Sequence, residues 1–138
     1  MKDIINKKVK HREELKSFTP VVLYEKAKEY FEINEERLFM LRVGQVKKDK
    51  IKEIPNVTHV DGSARMQIVK KEQNLLFYNL IHEFERISKI PILLNTSFNM
   101  RDEPIVCSLE NAYNCFINTQ IDYFVLGSYL ILKNNKRR

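Results

Sequence analysis

Glycine and proline are scarce in this 138-residue chain, at three and four residues. Their scarcity excludes collagen-like and proline-rich architectures, and no low-complexity segment or internal repeat is present. Cysteine is almost as rare: Cys107 and Cys115 are the whole complement. Neither has a second Cys or His at metal-ligand spacing, so both read as buried small hydrophobes in a reducing compartment rather than as ligands. No apolar run approaches the ~20 residues of a membrane span. The chain also begins charged, with no apolar core behind the charge, so neither a membrane helix nor a signal peptide is expected and the cytoplasm is the default.

What the chain does have is apolar residues at 43% of its length, enough for one domain that buries about two-thirds of its unfolded surface. The formal charge of +6 favours anionic partners: nucleic acid, nucleotides or phosphorylated metabolites. Much of it says little. Lys47, Lys48, Lys50 and Lys52 fall in an expected surface loop, and Lys133, Lys136, Arg137 and Arg138 form a tail; both are expected to be solvated.

Periodicity predicts an α/β (α+β) layer structure in which strands and helices interleave. Pro20 followed by Leu23, Ala27 and Tyr30 predicts a helix over 21–31, covering a sheet. A strand is expected over 38–43, a charged hairpin-like excursion over 44–55, and an extended segment over 57–69 that Asp61-Gly62 interrupts with a turn. Residues 73–88 form the clearest helix, with Phe77, Leu80, Ile81, Phe84 and Ile87 on one apolar stripe. Ile90 to Leu94 suits a buried central strand ending at polar Asn95. Ser108 is placed to cap a helix through Thr119 with the stripe Leu109, Ala112, Tyr113 and Phe116, and Gly127-Ser128 joins two strands into a closing hairpin.

Two polar segments end apolar strands and so mark places for a ligand: Thr58-His59-Val60-Asp61-Gly62-Ser63-Ala64-Arg65-Met66-Gln67 and Asn95-Thr96-Ser97-Phe98-Asn99. Arg65 follows a Gly-Ser turn in an otherwise apolar region, where a lone guanidinium is costly and calls for an acidic partner or a ligand. Asp61 is the internal candidate for that partner. Ser97 and Asn99 follow a strand whose end would open on a ligand crevice, although Asn95 and Thr96 equally suit turn formation. Lys10 and Arg12, two apart, would turn two cations toward one anion on an extended segment; the alternative is a solvated basic N-terminus. His59 reads either as a phosphoryl-oxygen donor or as a structural residue. Arg101 and Glu103 flank the next turn.

Together these segments resemble the O-carbamoyltransferases of the NodU/CmcH type. The family's C-terminal domain carries the motif seen at 58–67, the Leu93–Asn99 motif, and Glu103-Pro104-Ile105-Val106 after it. Its entry pattern appears here as Lys10-His11-Arg12-Glu13, Phe18-Thr19-Pro20 and Tyr30-Phe31. The resemblance runs from about Asn6 to Leu132. Two departures stand out: Asp102 where the family usually has glycine, and Lys16 where it commonly has arginine, which reduces a bidentate contact to a point charge.

The resemblance implies a single YrdC-like domain with a twisted mixed sheet and flanking helices. It implies that the domain binds carbamoyl phosphate and ATP, with Mg2+, and forms carbamoyl-adenylate for transfer to an acceptor hydroxyl. Lys10, Arg12 and Arg65 would offset phosphate charge, and Ser97 and Asn99 would orient the carbamoyl group. His59, Asp61, Asn95, Thr96 and Arg101 would contact substrate or nucleotide, with Asp61 as a candidate ligand of Mg2+. The family's transfer site lies in a larger N-terminal domain with a His-x-x-x-His metal motif. His11, His59 and His82 do not have that spacing, so an N-terminal transferase domain or chain is the expected partner, and the chain fits a split protein and an excised fragment alike. The alternatives are a non-catalytic basic module for nucleotides or RNA, and a structural half completing a partner's site. RNA is disfavoured because Phe77, Phe84, Phe116 and most tyrosines fall on apolar stripes instead of alternating with cations.

Overall fold

The structure, a computed structural model, describes residues 5–6, 18–33, 40 and 43–133. In chain order the described elements are β1 (Thr19–Leu23), α1 (Tyr24–Tyr30), β2 (Phe31–Glu32), β3 (Gly44–Val46), β4 (Ser63–Ala64), β5 (Gln67–Val69), α2 (Leu75–Ser88), β6 (Ile92–Asn95), α3 (Leu109–Asn118), β7 (Tyr123–Leu126) and β8 (Tyr129–Leu132). The class is α+β, as expected. The chain divides into two compact units, of which one is Ser17–Thr96 and the other contains 97–133.

In the first unit β1 is the middle strand of a mixed sheet, parallel to β5 and antiparallel to β6. Every residue of β1 is buried. The expected helix over 21–31 is therefore corrected at its start: Val21, Val22 and Leu23 are strand, and the helix begins at Tyr24. Leu23, Ala27 and Tyr30 happen to match a helical period. The β-branched pair Val21-Val22 inside a continuous apolar run is what a strand covered on both faces requires. Two polar contacts tie α1 to α2 beside this sheet. Lys26 Nζ lies 3.2 Å from Glu85 and 3.3 Å from Glu29, and the Tyr78 hydroxyl donates to Glu25. Beneath them Val21, Leu23, Val69 and Ile81 form the core, with Phe77, Tyr78 and Leu93 against it.

The strand expected at 90–94 is observed as β6, but at the sheet's edge; β1 holds the centre. The strand expected over 38–43 falls mostly outside the described residues, and Val43 lies just before β3. β2, β3 and β4 make a second, antiparallel sheet, in which Gly44 pairs with Ala64. Gly44 lies close to its neighbour there: a Cβ at this position would meet the Cε of buried Met66 at 2.5 Å, so the methyl end of that side chain would have to move aside.

Helix α2 starts at an Asn74 cap, whose side chain accepts from Phe77 N. Of its expected stripe, Ile81 alone is buried and Phe77 packs partly inward, whereas Leu80, Phe84 and Ile87 are exposed, with Leu76 beside them. Successive apolar residues at 76–77, 80–81 and 84 supply two adjacent stripes, and the described residues cover only one.

In the second unit, Ser108 caps α3 by accepting from Asn111 N at 3.1 Å. The inward stripe is Ala112, Cys115 and Phe116; Leu109 and Tyr113, expected to be buried, are exposed. The hairpin β7–β8 packs on that inward stripe through Phe124 and Ile131, with Phe98, Val106 and Ile121 completing the cluster. Its two-residue turn puts Gly127 at φ 56°, the first position of a type II′ turn, where glycine is the residue without steric cost. Lys133, expected in a solvated tail, instead closes the C-terminus of α3. Its Nζ donates to Ile117 O at 3.0 Å and to Thr119 O, and lies 5.1 Å from the Phe116 ring centroid. Carbonyls left without helical partners, next to an aromatic face, explain the docking.

Candidate functional site

The first motif folds as a turn followed by two short strands. Asp61 Oδ1 accepts from Ser63 N at 3.0 Å and from Ser63 Oγ at 2.6 Å. His59 N donates to Ser63 O at 2.7 Å, and Gly62 N to His59 O at 3.0 Å. Gly62 takes φ 79° at the apex. The Ser63 hydroxyl, then its amide, hold the Asp61 carboxyl below the usual carboxylate range, with a smaller contribution from His59. Asp61 is thus an ionised turn former at neutral pH, and its Oδ2 accepts no hydrogen bond among the described residues.

That arrangement bears on the Asp61–Arg65 pair alone. Asp61 is committed to Ser63, and Arg65 makes no ion pair with any described residue. Arg65 was expected in an apolar setting; it is exposed, between β4 and β5, while Ala64 and Met66 on either side are buried. Exposure removes most of the desolvation cost that made a lone guanidinium look unfavourable. It also leaves the fork's donors for an anion.

Two residues further on, Gln67 joins the two motifs. Asn95 Nδ2 donates to Gln67 Oε1 at 2.9 Å. β5 and β6 flank β1, so this bond spans the middle strand at the end where Asn95 closes β6. Gln67 is missing from the residues singled out by sequence reasoning, although it ends the first motif. An amide two residues after an arginine, where a strand begins, was the available signal. Thr96 follows Asn95, half-buried.

In the second unit Ser97 Oγ donates to Asn99 Oδ1 at 2.7 Å, and Asn99 Nδ2 donates to Glu103 O at 2.8 Å. Val106 N closes the same loop onto Phe98 O at 2.9 Å. Arg101 lies 3.3 Å from Asp102 in an exposed pair. Asp102 takes φ 61°, in the left-handed region that glycine occupies freely and aspartate tolerates. An open cavity of about 270 Å³ lies beside this loop, lined by Met100, Glu103, Cys107, Asn111 and Asn114 among others. Cys107 is exposed rather than buried, its thiol 3.6 Å from Asn111 Oδ1, whereas Cys115 is buried as expected. A position just before the Ser108 cap has no core to enter.

Lys10, Arg12 and Lys16 lie outside the described residues. His59, Asp61, Arg65, Asn95 and Thr96 fall in the first unit; Ser97, Asn99 and Arg101 in the second. Among the described residues no group of three His, Cys, Asp or Glu side chains is placed to hold a metal, and no helix is long and apolar enough to cross a membrane. The aromatics also need correction: Tyr113, Tyr123 and Tyr129 are exposed. On the hairpin their neighbours are Val125, Leu130 and Leu132, not the interleaved cations of a nucleic-acid surface.

A family profile described as "Carbamoyltransferase C-terminus" matches residues 1–133. The chain is 39% identical to an uncharacterized protein of Synechocystis, sll1178, over 96% of this chain and 25% of that protein. It is 45% identical to nodulation protein NolNO of Sinorhizobium fredii, over 96% of this chain and 20% of that protein, and 41% identical to nodulation protein NolO of Bradyrhizobium diazoefficiens, over 96% and 25%. It thus spans a quarter or less of the length of these relatives.

Proposed function

The chain belongs to the carbamoyltransferase C-terminus family, and on that premise we propose that it binds carbamoyl phosphate and ATP and forms carbamoyl-adenylate, which a second active site uses to carbamoylate an acceptor hydroxyl. One observation carries the reading. The Asn95 and Gln67 side-chain amides fix each other's orientation, which leaves the Gln67 NH2 group as a donor and Asn95 Oδ1 as an acceptor with no other partner among the described residues. A carbamoyl group, with one carbonyl to accept and one NH2 to donate, is the complement of that pair.

Arg65 supplies the charge. In the proposed sequence water first cleaves carbamoyl phosphate to carbamate and inorganic phosphate; a carbamate oxygen then attacks the α-phosphorus of ATP, and pyrophosphate leaves as negative charge moves onto its oxygens. An exposed guanidinium with no carboxylate partner among the described residues is suited to that role. Mg2+ arriving with ATP would neutralise the phosphates further, and takes only one or two protein carboxylates; Asp61, ionised and with Oδ2 open, fits as one. Lys10, Arg12, Ser97 and Asn99 remain in the proposal on sequence resemblance. A further polypeptide domain would supply the acceptor site.

The test is carbamoyl-phosphate-dependent pyrophosphate release from ATP by the chain, beside Arg65→Ala and Gln67→Leu variants. Removing the guanidinium should cost about 2.7 to 4 kcal/mol of barrier, by analogy with a lost oxyanion donor, or roughly 10²- to 10³-fold in rate. Release unaffected by both substitutions would refute the assignment. No release from the folded wild type would favour a structural half that acts only with a partner.

A further inference from the structure

We propose that the outward face of the β7–β8 hairpin seats the polypeptide that makes up the remaining length of the longer family proteins. The register pairs Tyr123 with Leu132 and Val125 with Leu130. Alternation along each strand puts these four side chains on one face, opposite Phe124 and Ile131, which pack on α3. Cross-strand neighbours at this spacing form a continuous apolar patch. All four are exposed, at 57% to 67%, and none of the four is charged.

A two-stranded sheet is marginal alone and gains independent stability from a third strand or a helix against one face. Here α3 covers one face and no described element covers the other. Contiguous large apolar side chains on such a face mark an interaction surface.

Two facts select the occupant. The hairpin lies inside the segment the family profile matches, residues 1–133, so it belongs to the shared domain and is not an appendage peculiar to this chain. In relatives that match over 96% of this chain, that domain is only 20% to 25% of the protein. At least three-quarters of each relative is therefore polypeptide capable of covering an apolar face. The occupant is an apolar surface of that polypeptide, and this assignment rests on the part of the reading above in which a further domain completes the transferase.

The test joins this chain to NolNO in place of its matched segment and compares hydroxyl-radical labelling of Tyr123, Val125, Leu130 and Leu132 in the joined protein and in the isolated chain. Several-fold slower labelling of all four after joining is expected, with labelling restored by Leu130→Lys. In the isolated chain Leu130→Lys should leave the melting temperature unchanged, because the side chain faces solvent there. A second measurement adds the remainder of NolNO as a separate polypeptide, where protection should saturate with concentration. Equal labelling with and without the added polypeptide would overturn the proposal, as would protection in the isolated chain that rises with its own concentration, the mark of a second copy. Pyrophosphate release is read independently, so failure of the docking surface and failure of the adenylate chemistry are told apart.

Discussion

Asp102 shows what a single position can carry. It holds φ 61° next to Arg101, and the exposed ion pair between them is of the kind that contributes little. Asp102→Gly is expected to stabilise the protein by about 0.5–1 kcal/mol, the strain of a side chain in the left-handed region, less the entropy glycine adds to the unfolded chain; chemical denaturation measures it, and a destabilisation would show that the aspartate is needed for the loop. Asp61 offers a titration. Its carboxyl is held low by the Ser63 hydroxyl and amide, so its contribution to stability is present above the ordinary aspartate value near 4 and is lost as pH falls through the lowered one. NMR titration of wild type and Ser63→Ala should find Asp61 moving up toward the ordinary value in the variant. An unchanged midpoint would mean the hydroxyl is not the main cause. The sequence made Asp61 a rival partner for Arg65, because charge complementarity is visible in a sequence and the geometry of a two-residue Asx turn is not.

At the scale of elements, the hairpin, the capped helix α3 and most of α2 were legible, because turn chemistry and a long apolar period are local signals. The orientation of the helices was not. Ile81 and Leu80 are neighbours of the same size on α2, yet Ile81 is fully buried and Leu80 exposed. Ile81→Ala should therefore cost about 2–5 kcal/mol, while Leu80→Ala should fall within about 0.5 kcal/mol; similar losses at both would mean that Leu80 is covered in solution. β1 was misread for the opposite reason. Val21 to Leu23 is too short for a period to choose between helix and strand, and its place at the middle of the sheet depends on β5 and β6, which lie more than 40 residues away in the chain. The two ligand segments stood out in the sequence, but the bond that joins them, Gln67 to Asn95, depends on that same pairing.

Across the whole molecule, apolar surface is divided among several elements. Exposed large hydrophobics occur on α2, α3 and both strands of the hairpin, each element burying one side and leaving another uncovered among the described residues. The native chain is accordingly expected to enhance the fluorescence of a hydrophobic dye while its near-ultraviolet circular dichroism shows fixed tertiary packing. Dye response only after that signal is lost would show the faces to be shielded. The tight meeting of Gly44 and Met66 bears on descent as well as on stability. A lineage that placed a side chain at 44 would have to turn aside or shorten the methyl end of the side chain at 66, inside the motif that carries Arg65 and Gln67. A glycine outside any recognised motif thereby constrains how the motif itself drifts, and these two positions are expected to change as a pair.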